Sequence, residues 1–183
     1  MKQISSLMFA LSLLVLTGCS AVYSVNPVGE KPLAIEADEW NGTWRGGGDA
    51  VSIKVTDGEK GILQMAWIEN MEFNLFQARL LESNTWVFVN FKEKVDDDGY
   101  LWARINKSGN SITMWDPDVD KIRALVTDGT LPGTVKGSDE GVAGNGNVVL
   151  GELTAEHLKI LTSDDKGILL DWENPIFLQR LSE

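Results

Sequence analysis

From Trp40 onward apolar and polar positions alternate along the chain, the period of strands with one buried face. Val51, Ile53 and Val55 fall on one side, Ser52, Lys54 and Thr56 on the other, and Leu63, Met65 and Trp67 share a side in the following run. Runs at 42–45, 51–56, 61–69, 73–81, 85–92, 100–106 and 111–115 are punctuated by Asp57-Gly58, Ser83-Asn84, Asp96-Asp97-Asp98-Gly99 and Ser108-Gly109-Asn110, residue types that form tight turns. Further short runs lie at 148–150 and 176–181. The pattern predicts a mainly β chain, a single antiparallel meander curled into a barrel of about eight or nine strands.

Two stretches switch to the helical period. Asp116-Pro117-Asp118-Val119-Asp120 supplies a cap, an early proline and acids at the positive dipole end, with Val119, Ile122, Leu125 and Val126 as an apolar face and Gly129 as a stop. The second helix is expected from a cap at Thr154 to Leu161. Both short helices fall in the C-terminal third, and the polar, glycine-rich stretch 137–147 between them is expected to be a mobile loop.

The N-terminal region follows neither period. Lys2 precedes an apolar run from Leu7 to Leu16 broken only by Ser12, about half the ~20 residues a membrane-spanning helix needs. This is the pattern of an export signal. Residues 20–38 contain Pro27 and Pro32 and read as a tether, able to reach about 60 Å fully extended but averaging about 25 Å as a coil. The expected organisation is a cleaved signal over 1–18, a lipidated tether over 19–38 and a barrel domain over 39–183.

Leu16-Thr17-Gly18-Cys19 resembles the lipobox of bacterial lipoproteins. The resemblance implies cleavage after Gly18 and acyl chains on Cys19, which is the only cysteine and so has no disulfide partner. In a Gram-negative envelope, Ser20 after the cysteine implies sorting to the outer membrane, with the domain in the periplasm.

Charge narrows the partners. The formal net charge is −11, and removing the leader takes away Lys2 and no acid. Such a chain is repelled by nucleic acid and by anionic head groups, so nucleic-acid binding is excluded and membrane attachment falls to the acyl chains on Cys19.

Catalytic chemistry finds little support. His157 is the only histidine and lies in the second expected helix between Glu156 and Lys159, a surface position. Acylation of Cys19 removes the one thiol. An EF-hand starting at Asp116 would need glycine at its sixth position and glutamate at its twelfth, where Lys121 and Thr127 stand. Asp96-Asp97-Asp98 reads as a hairpin loop, and Gly46-Gly47-Gly48 and Gly144-Asn145-Gly146 read as turns, because neither joins a strand to a helix as a phosphate cradle does. No catalytic residue, metal ligand or cofactor is therefore assigned and no enzyme is expected. Paired carboxylates acting on a glycan stay open, but 27 acids offer no single pair.

Trp67, Trp86, Trp102 and Trp115 occur on successive expected strands. They read as core packing, or as the lining of an internal apolar pocket or a sugar-stacking platform. A register error of one residue exchanges these faces.

Gly42-Thr43-Trp44 resembles the Gly-x-Trp start of lipocalins and fatty-acid-binding proteins, and Arg180 matches the arginine that covers that tryptophan in those families. The resemblance implies a lipocalin-like barrel whose end is closed by Trp44 and Arg180. The chain departs from lipocalins in lacking the Thr-Asp-Tyr signature and in inserting two helices. Over residues 98–181, Asp98-Gly99-Tyr100, the strand-to-helix piece from Ile112 to Ile122, Leu131-Pro132-Gly133-Thr134-Val135 and the terminal Pro175-Ile176-Phe177-Leu178-Gln179-Arg180-Leu181 resemble a group of uncharacterised proteobacterial lipoproteins, which implies a Gram-negative envelope and says nothing about activity. The leading expectation is a non-enzymatic outer-membrane lipoprotein holding a small apolar ligand. A scaffold that meets an envelope protein or peptidoglycan, and a glycan-active enzyme, stand beside it.

Overall fold

The computed structural model describes residues 20–46, 49–69, 72–92, 99–136, 146–163 and 169–181, with 49, 67–69, 72 and 73 described in their backbone alone. Gly18, Cys19, Asp96-Asp97-Asp98, the side chain of Trp67 and most of the glycine-rich stretch 137–147 lie outside these residues.

The meander begins at β3 (Gly42–Gly46), after β1 (Val22–Ser24), β2 (Lys31–Pro32) and the single turn α1 (Ala37–Trp40). It continues through β4 (Asp49–Asp57), β5 (Ile62–Glu69), β6 (Glu72–Ser83), β7 (Trp86–Lys92), β8 (Tyr100–Ser108) and β9 (Ser111–Trp115), each antiparallel to the one before. After an excursion through α2 (Val119–Thr127), β10 (Gly133–Lys136), β11 (Asn147–Leu150) and α3 (Ala155–Leu161), the chain returns as β12 (Ile176–Arg180). β12 inserts between β9 and β3 and closes an eight-stranded barrel, as the alternation predicts. Gly46 serves this closure: a Cβ there would strike the Phe177 carbonyl and the Leu178 side chain.

Alternation explains the barrel's filling. Ile53, Leu63, Met65, Ala78, Leu80, Val89, Ile105, Ile112, Met114 and Leu178 face inward and pack with Trp40 and Trp44 as one buried cluster. An eight-stranded barrel is just wide enough for side chains to fill it. Trp44 is fully buried, and replacing it with alanine would cost about 3–5 kcal/mol.

A second core lies outside the wall formed by β7 and β8. Phe88 and Trp102 point outward from these strands and pack against Ile122 and Leu125 of α2, Leu158 and Leu161 of α3, and Val148 and Leu150 of β11. β8 forks to support this layer. Its first half pairs with β1, which runs on to β11 and β10, while its second half pairs with β9.

Residues 20–38 do not form the expected tether. β1 is hydrogen-bonded on both edges, Val28 is fully buried, β2 pairs with β6, and Leu33 and Ile35 pack into the barrel core. Each apolar residue finds a different long-range partner, so no local period betrays the segment. α1 was not expected either. The cap of α2 is Asp118 rather than Asp116, its side chain accepting from the Lys121 amide at 3.1 Å, while Pro117 bridges to Leu170.

Candidate functional site

The closed barrel brings Trp44 and Arg180 opposite one another as cross-strand partners. Trp44 Nε1 donates to the Trp40 carbonyl at 2.9 Å, so α1 and β3 are tied at one end of the barrel. Arg180 lies over Gly42 and its Nη1 donates to the Asp38 carbonyl at 2.8 Å. The cation over a tryptophan at this end is Lys107, with Nζ 5.5 Å from the Trp40 ring centroid.

Trp86, Trp102 and Trp115 face away from the barrel interior. Trp102 is buried in the second core, 5.9 Å from Phe88 centroid to centroid, and Trp86 and Trp115 are half-buried beside it. The outward parity of β7 and β8 sets this: Trp86, Phe88, Trp102 and Arg104 occupy even positions, while Val87, Val89, Ala103 and Ile105 fill the lumen.

A cleft of about 540 Å³, open to solvent on one side, lies at the rim where the two cores meet. Leu33, Ile35, Trp40, Trp86 and Val87 give it apolar walls, and Arg104, Lys107, Glu36 and Glu39 add charge. Three pieces of chain build it: the segment entering α1, the start of β7 and the end of β8. The two-residue turn Asn84-Thr85 delivers Trp86 to the rim. Both turn residues have positive φ, 49° and 69°, as a type I′ hairpin demands. Thr85 is itself on the cleft wall, and a β-branched residue in this conformation is strained.

Arg104 stands between the cleft and the second core. Its guanidinium carbon lies 3.8 Å from the Trp86 ring centroid, 4.8 Å from that of Trp172 and 5.4 Å from that of Trp115. Trp115 and Trp172 meet edge to face at 4.5 Å. Among the described residues the buried Nε of Arg104 and Nε1 of Trp172 have no hydrogen-bond partner. Desolvation holds the Arg104 pKa below its ordinary value. In the sequence, Arg104 is signalled only as a single cation within the apolar run Tyr100-Leu101-Trp102-Ala103 and Ile105.

The other candidates have local structural work. His157 Nδ1 accepts from the Thr154 amide at 3.1 Å while the His157 amide donates to Thr154 Oγ1 at 3.4 Å, a reciprocal cap at the start of α3. Burial opposes ionisation of Asp118, but hydrogen bonds from the Lys121 side chain and backbone outweigh it and hold the carboxyl below its usual value. Asp116 differs. The residue keeps solvent contact, yet protein crowds its carboxyl, and desolvation, followed by the charge of Asp171, raises its pKa. Neither Asp116 nor Asp171 lines the cleft. Among the described residues no group of three or more histidine, cysteine, aspartate or glutamate side chains is placed to hold a metal, and no helix is long and apolar enough to cross a membrane.

Fold and cleft together define a closed antiparallel barrel protein of lipocalin-like architecture, with an added outer layer of strands and helices. No family model, curated protein or solved structure matches the chain.

Proposed function

We propose that this protein is an envelope lipoprotein, cleaved after Gly18 and held at the outer membrane by acyl chains on Cys19, whose periplasmic barrel domain binds a small ligand with a substantial apolar part. The rim cleft carries the binding reading: about 540 Å³ falls within the size range of small-ligand sites, roughly 300–1,000 Å³, and its walls combine aromatic, aliphatic and a few charged groups. The contiguous buried cluster inside the barrel favours the rim over the lumen as the place for that ligand. Anchoring is supported by the leader, by Leu16-Thr17-Gly18-Cys19 and by the absence of any other cysteine.

Two measurements test the two halves of this reading. Cys19→Ala should release the protein from the membrane fraction or leave it unprocessed, and a variant that stays acylated and membrane-bound refutes the anchor. Native mass spectrometry of gently extracted protein should show a bound small molecule, and titration with apolar probes should quench fluorescence from Trp86 and Trp40 at the cleft. Observing neither an adduct nor quenching refutes the ligand.

A further inference from the structure

We propose that Arg104 is the anion-binding group of the rim cleft, and that the ligand is an amphiphile with an apolar tail and an anionic head, a carboxylate or a phosphate. This rests on reading the cleft as a ligand site and specifies what it takes.

The first argument is the state of the guanidinium. It presents five N–H donors in one plane, and among the described residues it donates no hydrogen bond and has no carboxylate partner. Lys60, Lys107, Lys121, Arg123 and Lys159 each have a carboxylate within 2.5–3.4 Å. Half-buried Lys92 and Arg180 also lack a carboxylate, but Arg180 donates to the Asp38 carbonyl and Lys92 lies at the Tyr100 ring, whereas Arg104 is the one of the three with a buried donor left unmet among the described residues.

Geometry then selects the counter-ion. Indole rings attract a guanidinium through their faces, each contact worth about 0.5–2 kcal/mol. They leave its hydrogen-bonding edge unmet. That edge is the fork that carboxylate and phosphate oxygens fit in pairs. Trp86, Trp115 and Trp172 thus hold the side chain in place, which lowers the cost of ordering it when an anion arrives.

The remaining walls suit the rest of such a molecule. Half-buried Leu33, Trp86 and Val87 offer apolar surface to a tail, with buried Ile35 and Trp40 behind them. Glu36 and Glu39 also line the cleft and oppose an anion, but both are exposed and screened by solvent, and Glu39 is paired with Lys107 at 3.4 Å. Arg104 is half-buried, where charge is screened less.

The test compares three probes of one chain length, laurate, dodecyl phosphate and dodecanol, each below its aggregation limit. Calorimetry uses the mature chain with Cys19→Ala, which keeps every described element. At least one anionic probe should bind about tenfold or more tighter than dodecanol, the effect of one charge-assisted hydrogen bond. Arg104→Gln should bring the anionic probes to the affinity of dodecanol and leave dodecanol within about twofold. Arg104→Lys, which keeps the charge and loses the fork, should fall between. Near-ultraviolet circular dichroism reports whether each variant keeps its tryptophan packing, and if Arg104→Gln does not fold, Arg104→Lys beside Lys107→Gln decides: the anion preference should weaken in the first and persist in the second, and the reverse overturns the assignment. Equal affinity for all three probes, or an unchanged anion preference in folded Arg104→Gln, overturns the assignment while leaving the cleft a ligand site. If no probe binds the wild type, the cleft reading falls and the assignment with it.

Discussion

Asn90 grips Val28 by both of its backbone groups: Oδ1 accepts from the Val28 amide at 2.6 Å and Nδ2 donates to the Val28 carbonyl at 3.0 Å. Asn90 is 1% exposed and Val28 is fully buried, so this side-chain amide does for the N-terminal segment what a neighbouring strand would otherwise do. Asn90→Ala leaves a buried donor and a buried acceptor unmet, each costing about 1–3 kcal/mol. Urea denaturation should show a loss of about 2 kcal/mol or more, and amide exchange should quicken at Val28. A loss below about 0.5 kcal/mol would mean that water replaces the amide freely.

Thr85 makes the opposite prediction. A β-branched residue at positive φ in the β6–β7 turn costs of order 1–3 kcal/mol, and Asn-Gly is the favoured pair for this turn type. Thr85→Gly should therefore raise the thermal midpoint, by the equivalent of about 1 kcal/mol after the entropy that glycine adds to the unfolded chain. An unchanged or lower midpoint would show that Thr85 is not under strain.

Asp116 carries a charge that the fold disfavours. Its pKa in the folded chain lies above the ordinary aspartate value of 3.8, first through desolvation and then through Asp171. Ionisation is therefore costlier in the folded than in the unfolded state, and the penalty is fully present above the folded pKa. It fades as pH falls through that value and is gone below about 3.8. Asp116→Asn should stabilise the protein at neutral pH, by less than about 1 kcal/mol because the residue keeps solvent contact, and the gain should vanish in acid. Unfolding midpoints of both proteins across this range check the sign, and a gain that persists in acid would place its origin elsewhere.

The barrel was legible because β3 to β6 each bury one face and leave the other wet, so Val51, Ile53 and Val55 announce themselves against Ser52, Lys54 and Thr56. β7 and β8 were legible as strands but not as to their faces. Both sides of this wall are buried, Val89 and Ala103 in the lumen and Phe88 and Trp102 outside it, and alternation carries no information where neither side meets water. That is why Trp86 and Trp102 could not be assigned a side from sequence. β1 and β2 were invisible for a different reason. Three residues and two are too few to show a period, and β1 is stabilised by β11, more than a hundred positions away. The cleft combines both difficulties, since it needs Leu33 from the segment misread as a tether and Trp86 and Arg104 from the two-faced wall.

Ser20 and Ala21 are already part of the folded body. The Gly146 amide donates to Ser20 Oγ at 3.0 Å, and the Ala21 amide donates to Asn147 Oδ1 at 3.0 Å. If Cys19 bears the acyl chains, the slack between lipid and barrel shrinks from the ~25 Å of a coil to the span of one peptide unit, about 3.8 Å. A domain so closely coupled cannot swing through the surrounding fluid in search of partners. It would drift with the leaflet in a restricted attitude, its β1–β11 corner toward the lipid, and an amphiphile could pass between bilayer and protein without a long journey through water.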